Sequence, residues 1–106
     1  LKMPAKELEV RFNILDPDFK SYGQRVINEL EEYAKTRPDY KIADDNREGI
    51  RISTENGFFL LRLSVHDPVM PMNFESNVKG GVNKDVDGIK DFFKSFDKLD
   101  CGALNC

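Results

Sequence analysis

Hydrophobic and polar residues alternate with a period of two along residues 7–14, the first clear pattern in the chain. Because successive side chains of a strand point to opposite faces, this pattern predicts a half-buried β-strand. Asp16, Pro17 and Asp18 then predict a helix start, with Asp16 as N-cap, Pro17 in the first helical position and an acidic first turn. Pro38 ends this helix, since the residue before a proline avoids helical geometry. The apolar stripe of the helix, which predicts its core-facing side, consists of Phe19, Tyr22, Val26, Ile27, Leu30, Tyr33 and Ala34.

Short apolar segments after this helix predict an antiparallel sheet. Residues 40–43, 50–54 and 58–64 each have the length and composition of a strand. Asn56-Gly57 stands between the last two segments, and such pairs adopt the positive φ values of a tight hairpin turn. The sequence therefore predicts that residues 50–54 and 58–64 pair with each other.

The last third of the chain predicts one more strand and a second helix. Residues 69–75 alternate in polarity, and Pro71 favours an edge position or a bulge because proline cannot donate a hydrogen bond to a ladder. After Gly80-Gly81, Asn83 predicts the N-cap of a helix. Two helices can cover one face of an antiparallel sheet, so we predict an α+β two-layer sandwich with about four mainly antiparallel strands. The apolar face of the second helix consists of Val86, Ile89, Phe92, Phe93 and Phe96.

Size and charge narrow the classes of function. A length of 106 residues and a mass of 12.2 kDa fit a single domain over residues 1–106, with residues 97–106 as a tail. The formal net charge of -3 argues against a nucleic-acid partner, because the phosphate backbone requires a basic surface. No apolar stretch reaches the ~18 residues of a membrane span, so no membrane partner is expected. Because the chain does not begin with Met, we expect it to be part of a longer polypeptide.

The two cysteines, Cys101 and Cys106, lie five residues apart near the end of the chain. A disulfide between them would close only a small loop and would connect no distant parts of the domain. A zinc site would need two further ligands. Free thiols in a reducing intracellular compartment are the favoured interpretation, with a disulfide as the alternative.

The segment from Arg62 to Pro68 carries the candidate chemistry. On an extended strand Arg62 and Ser64 share one face, and His66 joins them if the extended path continues until Pro68 interrupts it. A guanidinium, a hydroxyl and an imidazole can all donate hydrogen bonds to one small anion, so we predict a phosphate site. The alternative is an Arg and a Ser on a water-exposed sheet face, with the single His in a turn. Ser64 and His66 stand too nearly parallel for nucleophilic catalysis, and no catalytic residue is assigned.

Two other chemical interpretations are less favoured. Residues 83–91 resemble the opening of an EF-hand loop, but Lys94 occupies the position of the required bidentate acid. A helix start explains the acidic residues there, and no metal site is predicted. Phe58 and Phe59 resemble the stacking aromatics of RNA-binding sheets, yet the acidic charge and the neighbouring leucines favour core packing.

The order of elements and one motif resemble the C-terminal domain of the α-D-phosphohexomutases, which include the phosphoglucomutases, phosphomannomutases and phosphoglucosamine mutases. That order is helix, strand, Asn-Gly hairpin, strand, an Arg-x-Ser-x-x-acid-Pro loop, a strand ending in Glu, and helix. The motif falls on Arg62, Ser64, Asp67 and Pro68, and the similarity covers residues 8–96. The resemblance implies a fold similar to the TATA-box-binding protein. The residues that frame the motif are Gly49-Ile50-Arg51, Gly57 and Glu75.

The resemblance implies that this loop binds a substrate phosphate, although three positions depart from the family pattern. Val65 is β-branched where the usual Gly or Asn permits a close approach of the backbone. His66 replaces a hydroxyl with a ring that binds phosphate more strongly when it is protonated. Pro71 stands where many members have a further Arg. The implied phosphate-binding residues are Arg62, Ser64, Val65 and His66, and the implied loop-shaping residues are Asp67 and Pro68.

The resemblance also implies what lies outside this chain. The phosphorylated serine, the Mg²⁺-binding acidic loop and the sugar-reading loop belong to other domains of the same polypeptide, so the chain alone is expected to be inactive. The implied reaction is the reversible interconversion of hexose 1- and 6-phosphates. A divergent plant branch, some of it plastid-targeted, is similar in its Ser-x-His-Asp-Pro segment, which implies the cytoplasm or the plastid stroma. The alternative function is a non-catalytic α+β module that binds protein partners through a sheet edge. Met70, Met72 and Phe74 would form a stripe for such a partner if they are exposed.

Overall fold

The computed structural model describes residues 7–44 and 49–104, and within them it shows a six-stranded antiparallel sheet and two long helices. The strand order is β2-β3-β4-β5-β1-β6. The α+β class is confirmed, but the sheet has six strands instead of about four. The two-residue strand β2 falls in the segment predicted as a strand at residues 40–43, whereas the two-residue strand β6 was not predicted. The elements are β1 (Glu7–Ile14), α1 (Phe19–Lys35), β2 (Lys41–Ile42), β3 (Gly49–Ser53), β4 (Gly57–Arg62), β5 (Val69–Ser76), α2 (Gly81–Lys94), β6 (Leu99–Asp100) and a 3₁₀ turn (Gly102–Leu104).

The hydrophobic core lies between one face of the sheet and the two helices. Phe12 of β1 stacks on Phe93 of α2 with ring centroids 4.6 Å apart, which packs the helix against this strand. Alternate residues of each strand point the other way, onto a face that neither helix covers, and we call it the open face. Met70, Met72 and Phe74 are fully buried in the core, so the stripe expected for a protein partner is not exposed.

Both helices begin at residues other than those predicted. Asp18, not Asp16, is the N-cap of α1, and its side chain accepts a hydrogen bond from the Ser21 N–H at 3.4 Å. The N-cap of α2 is Gly80, whose φ of 71° lies in the left-handed region that glycine adopts readily. Asn83 therefore lies inside the first turn of α2, where it caps nothing.

The predicted hairpin between β3 and β4 is present, but Gly57 has a different role. Its φ is not positive, and it is the first residue of β4, paired with Ser76 of β5. A Cβ on Gly57 would overlap the carbonyl oxygen of Glu75. Glycine is required here for a close approach of two strands and not for turn geometry.

Pro71 lies in a central strand, and the prediction of an edge position is wrong. The Val69 carbonyl accepts a hydrogen bond from the Ser64 N–H at 3.0 Å, so the backbone N–H and C=O of Val69 face β4. The backbone groups of residue 71, two positions further along the strand, face the same way. The missing N–H of Pro71 is therefore directed at Arg62, where β4 ends. β1 pairs with β5 on the other side without interruption, because that side needs no donor from Pro71.

Residues 97–106 are predicted as a tail, but up to Leu104 they are part of the fold. β6 pairs with the end of β1, and Leu99 and Leu104 are buried against the core. Cys101 is a free thiol, whereas Cys106 lies outside the described residues, so the interpretation of its thiol stays a prediction. Among the helices of the described ranges, none has both the length and the apolar character to cross a bilayer.

Candidate functional site

Arg62 is the last residue of β4, and its side chain lies on the open face. Its neighbour Leu61 is fully buried on the helix side, so alternation along the strand directs Arg62 away from the core. The Arg62 side chain is partly buried, and its Nε has no hydrogen-bond partner among the residues that the structure describes. A buried N–H without a partner is costly, and an acceptor that binds there would recover that free energy.

The loop after Arg62 folds back on itself and does not continue as a strand. The Ser64 N–H still donates to the Val69 carbonyl at 3.0 Å, but the Asp67 N–H donates to the Ser64 hydroxyl at 3.3 Å. The Val69 N–H then donates to the Asp67 carbonyl at 2.7 Å. The predicted strand to Ser64 is therefore two residues too long. In this turn the Ser64 oxygen acts as an acceptor, which leaves its own proton free to donate to a ligand.

His66 leaves the strand direction within this loop. Val65, His66, Asp67 and Pro68 are exposed, and Val65 keeps 68% of its surface accessible. In the described part of the chain no hydrogen bond joins Ser64 to His66. Arg62 and Ser64 share the open face as predicted, whereas His66 is presented by a turn and not as a third residue of one strand. The assignments of phosphate-binding and loop-shaping residues remain predictions.

The two phenylalanines of β4 have different environments. Phe59 is fully buried, as expected, but Phe58 is only partly buried and lies on the open face. The Arg51 guanidinium covers the Phe58 ring, with its central carbon 3.9 Å from the ring centroid. The expectation of core packing is therefore wrong for Phe58, because the period of two places adjacent residues on opposite faces.

A polar cluster that the sequence did not predict lies at the other end of β4. Asp85 of α2 is buried, and its carboxylate accepts hydrogen bonds from the Thr54 hydroxyl at 2.9 Å and from the Asn56 side chain at 3.2 Å. Burial raises the pKa of Asp85, while these two hydrogen bonds oppose that rise. A Thr-x-Asn segment beside a hairpin glycine was the available signal, but only the packing of α2 makes it a carboxylate site.

This cluster adjoins a pocket that is unsuited to anions. The pocket has a volume of about 300 Å³ and is lined by residues 54–58 and 75–78. These residues include the carboxylates of Glu55 and Glu75 and no Lys or Arg. The segment from Arg62 to Pro68, which we call the Arg62 loop, lies at the opposite end of the same two strands. It carries the positive charge and the donors that an anion needs.

The structure gives no support for a cation site in the described ranges. The segment that resembles an EF-hand opening lies within α2, so its oxygens are not arranged as a loop. Across residues 7–44 and 49–104 there is no group of three or more His, Cys, Asp or Glu side chains that could hold a metal ion. The Mg²⁺ that the resemblance implies belongs to other domains of the longer enzyme, so its binding stays a prediction.

Comparison with solved structures finds the same fold in a much longer protein. A phosphoglucomutase/phosphomannomutase family protein from Burkholderia thailandensis is similar, with a TM-score of 0.59 and 18% sequence identity. The match covers 86% of this chain and 18% of that one. The two share a fold. No protein-family model matches the chain, and neither does any curated protein.

Proposed function

We propose that this chain is the C-terminal, substrate-phosphate-binding domain of a phosphoglucomutase/phosphomannomutase-like enzyme. The observation that carries the proposal is the placement of Arg62, which ends β4 on the open face. Its Nε is buried and has no hydrogen-bond partner within residues 7–44 and 49–104. Ser64 follows in a turn that leaves its hydroxyl proton available. The fold shared with part of a phosphoglucomutase/phosphomannomutase family protein is a second, independent support.

In this proposal the Arg62 loop holds the phosphate that does not react. Arg62 supplies charge-assisted hydrogen bonds, Ser64 and His66 supply flanking donors, and the backbone at Val65 closes over the anion. Binding a remote phosphate positions the hexose and provides binding energy for the reacting end. The interconversion of hexose 1- and 6-phosphates would then require residues from other domains of the same polypeptide.

A titration of the protein with glucose 1-phosphate, followed through backbone amide NMR shifts, tests the proposal. We expect a dissociation constant on the order of millimolar, because one partly exposed Arg with two or three further donors binds weakly. The amides of residues 62–68 should shift, and Arg62→Ala should abolish the shifts. If these amides stay unmoved at tens of millimolar ligand, the proposed function is wrong.

Arg25→Ala is the matched control for the loss of one positive charge. Arg25 lies on α1, away from the loop, and pairs with Glu29 at 2.6 Å. We expect this variant to bind glucose 1-phosphate as the wild type does. Equal weakening by Arg25→Ala and Arg62→Ala would show a general charge effect and not a site.

A further inference from the structure

A second arginine lies in the same cross-strand row as Arg62. Gly49 of β3 pairs with Arg62, and Arg11 of β1 pairs with Pro71. The register between β4 and β5 places Pro71 opposite Arg62, one position beyond the pair Leu61 and Met72. The row across the open face therefore runs Gly49, Arg62, Pro71, Arg11.

The spacing of this row suits one tetrahedral anion. Two strand spacings of about 4.8 Å place the Cα atoms of Arg62 and Arg11 about 10 Å apart. Both side chains rise from the same face with only the small ring of Pro71 between them. A phosphate above Pro71, with a charge-assisted hydrogen bond of about 2.8 Å on each side, fits between the two guanidiniums.

Arg11 is free to take this role. Its side chain is exposed, and within residues 7–44 and 49–104 it forms no ion pair, although Glu9 and Asp100 lie nearby on the same face. The third arginine of the open face, Arg51, is held over the Phe58 ring. Among the described residues of the open face, Arg11 and Arg62 are therefore the two guanidiniums that can converge on a ligand.

The next row toward the loop adds a further donor. Asn13 pairs with Val69, whose carbonyl accepts from the Ser64 N–H, so Asn13 and Ser64 flank Val69 on the open face. The Ile14 N–H donates to the Pro68 carbonyl at 2.8 Å, which fixes the end of β1 against the loop. Arg11 and Asn13 thus lie on a rigid strand that is hydrogen-bonded to the loop of the candidate site.

We propose that Arg11 and Asn13 complete the phosphate site, so that a phosphate monoester dianion is held above Pro71 between two guanidiniums. This inference rests on the proposed function and makes the site selective. A dianion gains about twice the Coulombic attraction of a phosphodiester, which has one negative charge and two of its oxygens esterified.

Binding of glucose 1-phosphate and of dimethyl phosphate to the variants Arg11→Ala and Asn13→Ala tests the inference. At pH 7.5 we expect Arg11→Ala to weaken glucose 1-phosphate binding about tenfold and Asn13→Ala about threefold. Arg25→Ala should change it by less than about twofold. Wild-type protein should bind dimethyl phosphate at least about tenfold more weakly than glucose 1-phosphate, and the amides of residues 11–13 should shift with the monoester.

The outcomes separate the inference from the proposed function. If Arg62→Ala abolishes binding while Arg11→Ala binds as the wild type does, the function stands and the second arginine has no role. If Arg11→Ala and Arg25→Ala weaken binding equally, the inference is overturned because only net charge matters. If the wild type binds no monoester, both proposals fall.

Discussion

At Gly57 the backbones of β4 and β5 approach so closely that no side chain fits. We expect Gly57→Ala to lower the free energy of unfolding by about 1–3 kcal/mol, because the added methyl group would push the two strands apart. Urea denaturation measures this change. An unchanged midpoint would show that the strands separate at no cost.

Gly88 is the informative comparison, since it lies in the interior of α2. A Cβ there would lie 3.5 Å from the Tyr40 hydroxyl and 3.9 Å from an Arg37 nitrogen, which is ordinary contact. Because Ala is a better helix former than Gly, we expect Gly88→Ala to raise the free energy of unfolding by up to about 1 kcal/mol. The same denaturation series checks it, and a loss of stability would show that the contact with Tyr40 is too tight.

The raised pKa of Asp85 leads us to expect that the free energy of unfolding depends on pH. Burial raises its pKa in the folded state, so the folded protein binds this proton more tightly than the unfolded chain does. The resulting stabilisation is present below the pKa that Asp85 has in the unfolded chain. It is lost as the pH rises through the pKa that Asp85 has in the folded protein. Asn does not titrate, so the stability of Asp85→Asn relative to wild type should be more favourable at about pH 7 than at about pH 3.5.

Urea unfolding of both proteins at the two pH values measures this difference. Asp91→Asn, on the exposed side of the same helix and paired with Lys94 at 3.4 Å, controls for the loss of one carboxylate. If the stability of Asp85→Asn relative to wild type decreases as the pH rises from about 3.5 to about 7, the prediction is wrong. The hydrogen bonds from Thr54 and Asn56 would then outweigh the effect of burial on the pKa of Asp85.

At the scale of elements, Pro71 sets the length of β4. Pro71→Val supplies an N–H directed at the Arg62 carbonyl, so the β4–β5 ladder should extend by one pair. We expect a slowly exchanging amide at residue 71 and a gain of about 1 kcal/mol in stability. Hydrogen exchange measures the amide, with Pro17→Ala, outside any strand, as the fast-exchanging control. Fast exchange at residue 71 would contradict the orientation that we assign to this strand.

The end of the chain is a second element-scale test. Leu104 is buried beside β1, whereas Ala103 is exposed. We expect Leu104→Ala to cost about 2–3 kcal/mol and Ala103→Ser to cost little, as measured by thermal unfolding. A small effect of Leu104→Ala would restore the original interpretation of this segment as a tail.

For the molecule as a whole, we expect binding without turnover. The described residues hold donors for an anion but no paired nucleophile and base, and in the proposed enzyme the reacting groups lie in other domains. The protein incubated with glucose 1-phosphate and Mg²⁺ should form no glucose 6-phosphate, as followed by ³¹P NMR. Turnover that disappears in Ser64→Ala would place a reacting group in this chain.

Local patterns determined the elements that pack against the core. The period-two pattern of β1 and the stripe of α1 are each set by residues close together in the sequence, so the sequence predicts them. The Arg62 motif was visible for the same reason, because a strand followed by a proline is a local signal. The local sequence did not decide the N-cap of α1, because the two neighbouring candidates, Asp16 and Asp18, carry the same side chain.

Only the tertiary structure decided which faces meet. Strand order is a long-range property, so the sequence could not show that Pro71 is central, that Leu104 is buried, or that Arg11 comes to lie two strands from Arg62. Pairing between β1 and β5 joins residues some sixty positions apart, and its register is fixed by the burial of one face of the sheet. The sequence by itself therefore determined the loop that we propose as an anion site, and the packing of the sheet decided which other side chains surround it.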